Sequence, residues 1–353
     1  MPTSKMRLTQ NFNAEFWNDS CDPRELAHAV KEGATGATSN PVIVANVFEN
    51  NKEACLPMID RLIKEFPSCT EDEIVWKSIH NLAIKAAKVL EPVFIQTGGL
   101  KGRLSIQVNP RYFTSAEKMT KHGLELSKLA PNIAIKIPAI PSGILAMEEL
   151  TAEGVSINAT VSFSVSQAVA CAEAVERGKA KAAKSGIDTT KLSSFITIMV
   201  GRIDDHIIEE IKRLNLCLDP ELAYWSGISV FKHAYGIFKE KKFSSKLLAA
   251  AYRHHRHWSE FIGGDLILSM PYKYWNQFNQ SDVEVYPRMD QAVDAKKIEA
   301  LRTNLEDFRK SYDLEGMNPS EFLQFGASKK TLMQFLGGLD RLNLLVRSRM
   351  LSL

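Results

Sequence analysis

The stretch Ile133-Ala134-Ile135-Lys136-Ile137-Pro138-Ala139 sets one lysine among isoleucines that recur every second residue. Successive residues of a β-strand point to opposite faces, so Ile133, Ile135 and Ile137 share one face and Ala134, Lys136 and Pro138 the other. Isoleucines suit a face covered by helices. Lys136 is therefore expected to point the other way, into an interior where an ammonium is costly to keep and its pKa falls.

Outward from this stretch the chain alternates short apolar runs with amphipathic ones. Strands are expected at Phe12–Asp19, Gly36–Asn40, Arg103–Asn109, Ile133–Ala139, Ser156–Phe163, Phe195–Arg202, Lys246–Arg253 and Asp265–Pro271. Helical patterns follow at Asp22–Glu32, Ser115–Leu129, Gly143–Glu153, Ser166–Lys184 and Asp204–Leu214. Eight strands alternating with helices predict an α/β fold of the (β/α)8 TIM-barrel type, and eight units favour closure over an open doubly wound sheet. Two segments break the repeat. Ala45–Gly99 is an insertion whose Glu71–Leu90 portion reads as a long helix, and the chain after Pro271 is helical in pattern without another strand. The expected division is a catalytic barrel over residues 1–285 and a helical C-terminal extension over 286–353, packed on the barrel or on a partner subunit.

The parity argument extends to the other strands. In the third, Ser105, Gln107 and Asn109 face inward opposite Leu104, Ile106 and Val108; in the fifth, Asn158, Thr160 and Ser162 face inward opposite Ile157, Ala159, Val161 and Phe163. Thr38 and Asn40 share a face of the second strand, and Asp19 closes the first. In the seventh, Ala249, Ala251 and Arg253 lie opposite Leu248, Ala250 and Tyr252. An interior this polar, with its polar groups toward the C-terminal strand ends, is costly unless it serves chemistry, and barrel enzymes build their sites at that end. Taken singly, a lone lysine in a strand is more often an edge residue, and a lone inward asparagine or threonine a satisfied hydrogen-bonder; agreement among six strands is what carries the functional reading.

A lysine held neutral by burial is a nucleophile toward carbonyls and forms an iminium that draws electrons from the neighbouring carbon–carbon bond. Asp19 is then the expected acid/base for the hydroxyl proton released as that bond breaks. Thr160 and Gln107 are expected to hold a water that carries protons to and from the imine carbon. Asn40 and Asn158, with Thr38 on the second strand and Thr197 on the sixth, are candidates to bind substrate hydroxyls. Arg202 and Arg253, near the ends of adjacent strands, suit a phosphate.

Composition sets bounds on this reading. The 353 residues carry 44 Lys+Arg against 41 Asp+Glu, a formal charge of +3, so no global basic field argues for nucleic acid. No run reaches the roughly 20 apolar residues of a membrane span, and the first residues lack the apolar core of a signal peptide. The five cysteines are odd in number and show no CxxC spacing, which reads as free thiols in a reducing, cytoplasmic setting. Gly98-Gly99 and Gly263-Gly264 punctuate turns and form no phosphate loop. The cluster Arg253-His254-His255-Arg256-His257-Trp258 is rich in imidazoles, but adjacent histidines rarely converge on one ion, so it is expected to rim the mouth of the barrel with no metal. Trp17 and Trp258 read as packing residues, and Lys179–Lys184 as the solvated end of a helix.

Four strings, in order, then resemble the signatures of transaldolases: Ala37-Thr38-Ser39-Asn40-Pro41, Ile135-Lys136-Ile137-Pro138-Ala139, Ile157-Asn158-Ala159-Thr160 and Val200-Gly201-Arg202-Ile203. Leu248–Arg253 is similar to the family's seventh-strand motif. The resemblance runs from about Asp19 to Pro271 and covers the last 80 residues less well. It implies Lys136 as the Schiff-base lysine, Asp19 as acid/base, Asn40, Asn158 and Thr160 as their family counterparts, and Arg202 and Arg253 as holders of the sugar phosphate. It further implies that a dihydroxyacetone unit passes from a ketose phosphate to an aldose phosphate with no metal or organic cofactor, and an assembly that is often dimeric or larger. Three positions depart from the pattern. Gln107 stands where most transaldolases have glutamate and resembles the related fructose 6-phosphate aldolases, which release free dihydroxyacetone. Ala251 replaces a phosphate-binding serine, and Met199 an aromatic residue. A lyase, a barrel that binds sugar phosphates without turnover, and an enzyme for an unusual, unphosphorylated sugar therefore stand as alternatives.

Overall fold

The computed structural model describes residues 4–353. Its strands are β1 (Glu15–Asn18), β2 (Gly36–Thr38), β3 (Arg103–Gln107), β4 (Ile133–Pro138), β5 (Ile157–Thr160), β6 (Ser194–Ile198), β7 (Lys246–Ala249) and β8 (Ile267–Met270). They pair in sequence order, all parallel, and β1 pairs with β8, closing an eight-stranded barrel. The helices are α1 (Lys5–Gln10), α2 (Pro23–Lys31), α3 (Pro41–Asn50), α4 (Lys52–Glu65), α5 (Glu71–Gln96), α6 (Ala116–Ser127), α7 (Pro141–Ala152), α8 (Val165–Lys184), α9 (Val200–Arg213), α10 (Ser226–Lys241), α11 (Arg256–Ser259), α12 (Tyr272–Gln280), α13 (Ala295–Asn304), α14 (Glu306–Tyr312) and α15 (Gly326–Met350). This is the (β/α)8 barrel expected, with the insertion forming α3 to α5 and the C-terminal segment α12 to α15.

Most of the expected strands overrun the observed ones. Asn13 is left-handed at φ 69° and turns the chain after α1, so β1 begins at Glu15 rather than Phe12. Val161 (φ 54°) follows the end of β5, and Ala251 (φ 65°) lies two residues beyond the end of β7. Val200 and Gly201 open α9, which places Arg202 in the first turn of a helix and not on the sixth strand. Arg253 likewise lies in the turn after β7.

Ile133, Ile135 and Ile137 are wholly or almost wholly buried in the apolar shell between sheet and helices. The interior is less polar than expected, because Trp17, Ala134, Phe195, Leu248 and Ile267 form a separate apolar cluster within it, which Ala250, just past the end of β7, joins. Gly36 makes room for it: a Cβ there would lie 2.4 Å from the Trp17 indole. Charges near the lower rim are paired within the protein. Arg103 donates to Ser193 Oγ and to the carbonyls of Gly99 and Lys191 at 3.0–3.1 Å, and Lys246 pairs with Glu15 at 2.8 Å.

α5 is started by a capping box, in which the Thr70 hydroxyl accepts from the Glu73 amide and the Glu73 carboxylate accepts from the Thr70 amide. α15 crosses from this insertion to α9. It packs on α3, α5 and α4, and Gly338 permits the closest approach, since a Cβ would meet the Val42 amide nitrogen at 2.7 Å. Leu301, Phe308, Phe325, Phe335 and Leu339 join the same apolar cluster as the barrel helices.

Candidate active site

Above the apolar floor the interior becomes a layered polar network. Asn158 of β5 donates to Ser105 Oγ of β3 at 3.0 Å and accepts from Thr197 Oγ1 of β6 at 2.8 Å, so its amide is held from both sides. All three are essentially inaccessible to solvent. The Thr197 hydroxyl thus orients Asn158. On the opposite wall the Thr38 hydroxyl donates to the Asp19 carboxylate and lies 3.4 Å from Ser269 Oγ. Asp19 follows the last residue of β1, and its backbone N–H donates to the Met270 carbonyl of β8.

Lys136 stands between these walls. The register places it beside Gln107 of β3 and Asn158 of β5. Its ammonium is buried and donates to the Ser39 carbonyl at 3.2 Å. Burial pushes its pKa down from 10.5 to about 8; Asp19 opposes the fall and Arg202 adds to it. At pH 7.5 roughly a quarter of such lysines are neutral, against about one in a thousand for an ordinary one.

Gln107 Oε1 on the neighbouring strand, and Thr160 Oγ1 and Ser162 Oγ at and beyond the end of β5, are buried and have no hydrogen-bond partner among the described residues. Buried polar atoms in native proteins are paired as a rule, so these orphans have capacity for a water or another polar group. Asn40 is half-buried and caps α3, its Oδ1 accepting from the Ile43 amide at 3.0 Å.

Arg202 and Arg253 come together, but by a different route from the one expected. Had β7 continued, Arg253 would share parity with Ala249, which packs on the outer side. The left-handed Ala251 ends the strand and re-aims the turn, so that Arg253 lines a cleft with Arg202, Asp205, Lys330, Thr331 and Gln334. Arg253 pairs with Asp205 through Nε at 3.1 Å and Nη2 at 2.6 Å. Arg202 donates to Thr331 Oγ1 at 3.0 Å and to Gln334 Oε1 of α15, while its Nε is buried and has no partner among the described residues. Burial lowers the Arg202 pKa, and neighbouring Arg253 adds to the effect.

The profile of the transaldolase/fructose-6-phosphate aldolase family matches residues 16–335. The chain belongs to this family. Among curated relatives, proteins named transaldolase from Mycobacterium ulcerans and Mycobacterium marinum are each 34% identical over 157 residues, as is one from Mycobacterium tuberculosis. The aligned stretch covers 44% of this chain and 42% of each relative. The match takes in all eight strands, save Glu15 of β1, and the first ten residues of α15.

The contributions of α15 had no signal in the sequence, because Thr331 and Gln334 lie 129 and 132 residues from the arginine they contact. Asp205 was open to reading: three residues after Arg202 on an amphipathic helix, it shares that arginine's face. The Ser39 carbonyl is a backbone group, which no residue pattern announces.

Proposed function

We propose that the protein is a transaldolase that carries a dihydroxyacetone unit from a ketose phosphate to an aldose phosphate as a Schiff base on Lys136. The observation that supports this reading is the buried amine, lowered to about 8, set beside Gln107, whose oxygen is unpartnered among the described residues, as is that of Thr160 at the end of the next strand. The neutral Nζ adds to the ketose C2 carbonyl, and loss of water leaves an iminium. Asp19, held by the Thr38 hydroxyl, takes the proton of the C4 hydroxyl as the C3–C4 bond breaks and the aldehyde departs. The electrons of that bond remain on the lysine-bound three-carbon unit as an enamine. Its C3 then attacks the aldehyde carbon of the acceptor, Asp19 returns the proton, and water releases the new ketose. Asn158, fixed by Ser105 and Thr197, suits the hydroxyls of the three-carbon unit, with Asn40 at the rim, and Arg202 and Arg253 suit the distant phosphate.

One observation favours a second reading. Gln107 is a neutral amide beside Lys136, so a water it holds is not deprotonated as a glutamate's would be, and hydrolysis of the enamine to free dihydroxyacetone competes with transfer. Intact mass after borohydride treatment with fructose 6-phosphate separates the two. A dihydroxyacetone-sized adduct at Lys136 that erythrose 4-phosphate abolishes supports transfer. An adduct indifferent to that acceptor, with free dihydroxyacetone accumulating, supports the lyase. No adduct with any ketose would sink both.

A further inference from the structure

Behind the arginine cleft lies a buried cluster the reaction does not use. Asp204 of α9 is 1% exposed; its Oδ1 accepts from the Gly227 amide at 2.8 Å, and its Oδ2 lies 2.8 Å from His257 Nε2 and 3.2 Å from His254 Nε2. The three ligand-type atoms lie within 4.8 Å of one another, a spacing that a cation would fit. The hydrogen bonds argue against one. His257 Nδ1 accepts the backbone N–H of Arg253 at 3.1 Å, so that nitrogen carries no proton and the ring's hydrogen sits on Nε2, donating to Asp204. A histidine that binds metal through Nε2 normally donates from Nδ1, and here Nδ1 faces a donor. Burial holds the His257 pKa low, in keeping with a neutral ring. Burial alone would raise the Asp204 pKa, but the two histidines and the Gly227 amide outweigh it and keep the group a carboxylate.

The chain of contacts runs from α9 to the β7 turn. Asp204 holds His257, His257 holds the Arg253 backbone, and the next residue on α9, Asp205, holds the Arg253 guanidinium. Gly201 brings α9 against the same turn, since a Cβ there would lie 2.0 Å from the Ala251 carbonyl oxygen. We propose that Asp204 is a positioning residue: through His257 it fixes Arg253 at the distance from Arg202 that a phosphate requires, and so sets the preference for phosphorylated over unphosphorylated sugars. The inference rests on the proposed function, in which these arginines receive the substrate's phosphate.

The test compares the parent with Asp204→Asn, which preserves an acceptor for the Gly227 amide. The readout is the concentration giving half-maximal borohydride trapping, with fructose 6-phosphate and with dihydroxyacetone, and the inhibition of the first by inorganic phosphate. Misplacing one charge-assisted contact is expected to raise the value for fructose 6-phosphate about tenfold and weaken phosphate inhibition equally, with dihydroxyacetone unaffected. An equal rise for both donors means a purely structural role, and no change means Arg253 is held without Asp204; either overturns the proposal. If Asp204→Asn does not fold, His257→Gln keeps a side-chain N–H for Asp204, removes the acceptor of the Arg253 amide, and is expected to show the same selective loss. A parent preference that shifts on adding zinc ion or EDTA would place a cation in the cluster and also overturn it. A parent that traps dihydroxyacetone but is not inhibited by phosphate refutes the phosphate role of the arginines, and the purpose assigned to Asp204 falls with it.

Discussion

Replacing Lys136 by methionine is expected to stabilise the folded protein at neutral pH, although it removes the proposed nucleophile. An unfolded lysine titrates near 10.5 and this one at about 8 in the fold, so below pH 8 the unfolded chain holds its ammonium more comfortably than the folded one. At 1.36 kcal/mol per tenfold the folded state bears a cost of about 3 kcal/mol there. The cost shrinks as pH rises from about 8 toward 10.5, because the folded protein has already lost its proton while the unfolded chain still binds one. Methionine is similar in length and carries no charge. Its introduction forfeits the bond to the Ser39 carbonyl, worth about 1 kcal/mol, so the net gain at pH 7 is about 2 kcal/mol. For 353 residues the unfolding entropy is about 0.7 kcal/mol/K, which makes this about 3 °C in melting temperature. By pH 10 the ammonium cost falls below about 1 kcal/mol and the two proteins should melt together. Calorimetry of both from pH 7 to 10 provides the comparison. A variant less stable at pH 7, or a gap that does not narrow with pH, would refute the claim that burial disfavours the charged amine.

Three further outcomes are expected. The rate of borohydride trapping at Lys136 should rise with pH through about 8 and level off above it, since only the neutral amine adds to a carbonyl; a midpoint near 10 would mean the lysine is solvated during reaction. Gln107→Glu sets a carboxylate beside Lys136, which favours the ammonium; that midpoint should move upward and the share of ketose released as free dihydroxyacetone should fall, and unchanged partitioning removes Gln107 from the account. Gly36→Ala places a methyl within the Trp17 ring contact and should lower stability by about 1–3 kcal/mol in urea titration; a neutral result would show the floor to be loosely packed.

The alternation of Ile133, Ile135 and Ile137 around Lys136 was enough to orient the lysine, because a strand between helices and interior has only two faces. Counting eight such runs led to the closed barrel. The strand ends were not legible, since left-handed Val161 and Ala251 carry residue types that ordinarily favour extended or helical backbone. For the same reason parity failed at Arg253, whose direction is set by a turn and not by the strand it follows. The apolar floor went unread because inward Trp17, Phe195 and Leu248 look, one strand at a time, like any other apolar strand residues. The histidine run was legible as a feature but not as a mechanism. Its partner Asp204 lies 50 residues earlier, and only the fold brings the two together.

The pairing of β1 with β8 bears on how this protein is made. Translation delivers Ile267–Met270 only some 250 residues after Glu15–Asn18, yet the two are neighbours in the finished barrel. Until the second arrives, the nascent chain can form at most an open sheet with two unpaired edges, and the Trp17 layer lacks Ile267, one of its members. α15, which meets Arg202, emerges later still. A ribosome-bound chain of this protein thus carries Lys136 before it has a closed vessel to hold it, and its unpaired sheet edges stay open to other chains during that interval.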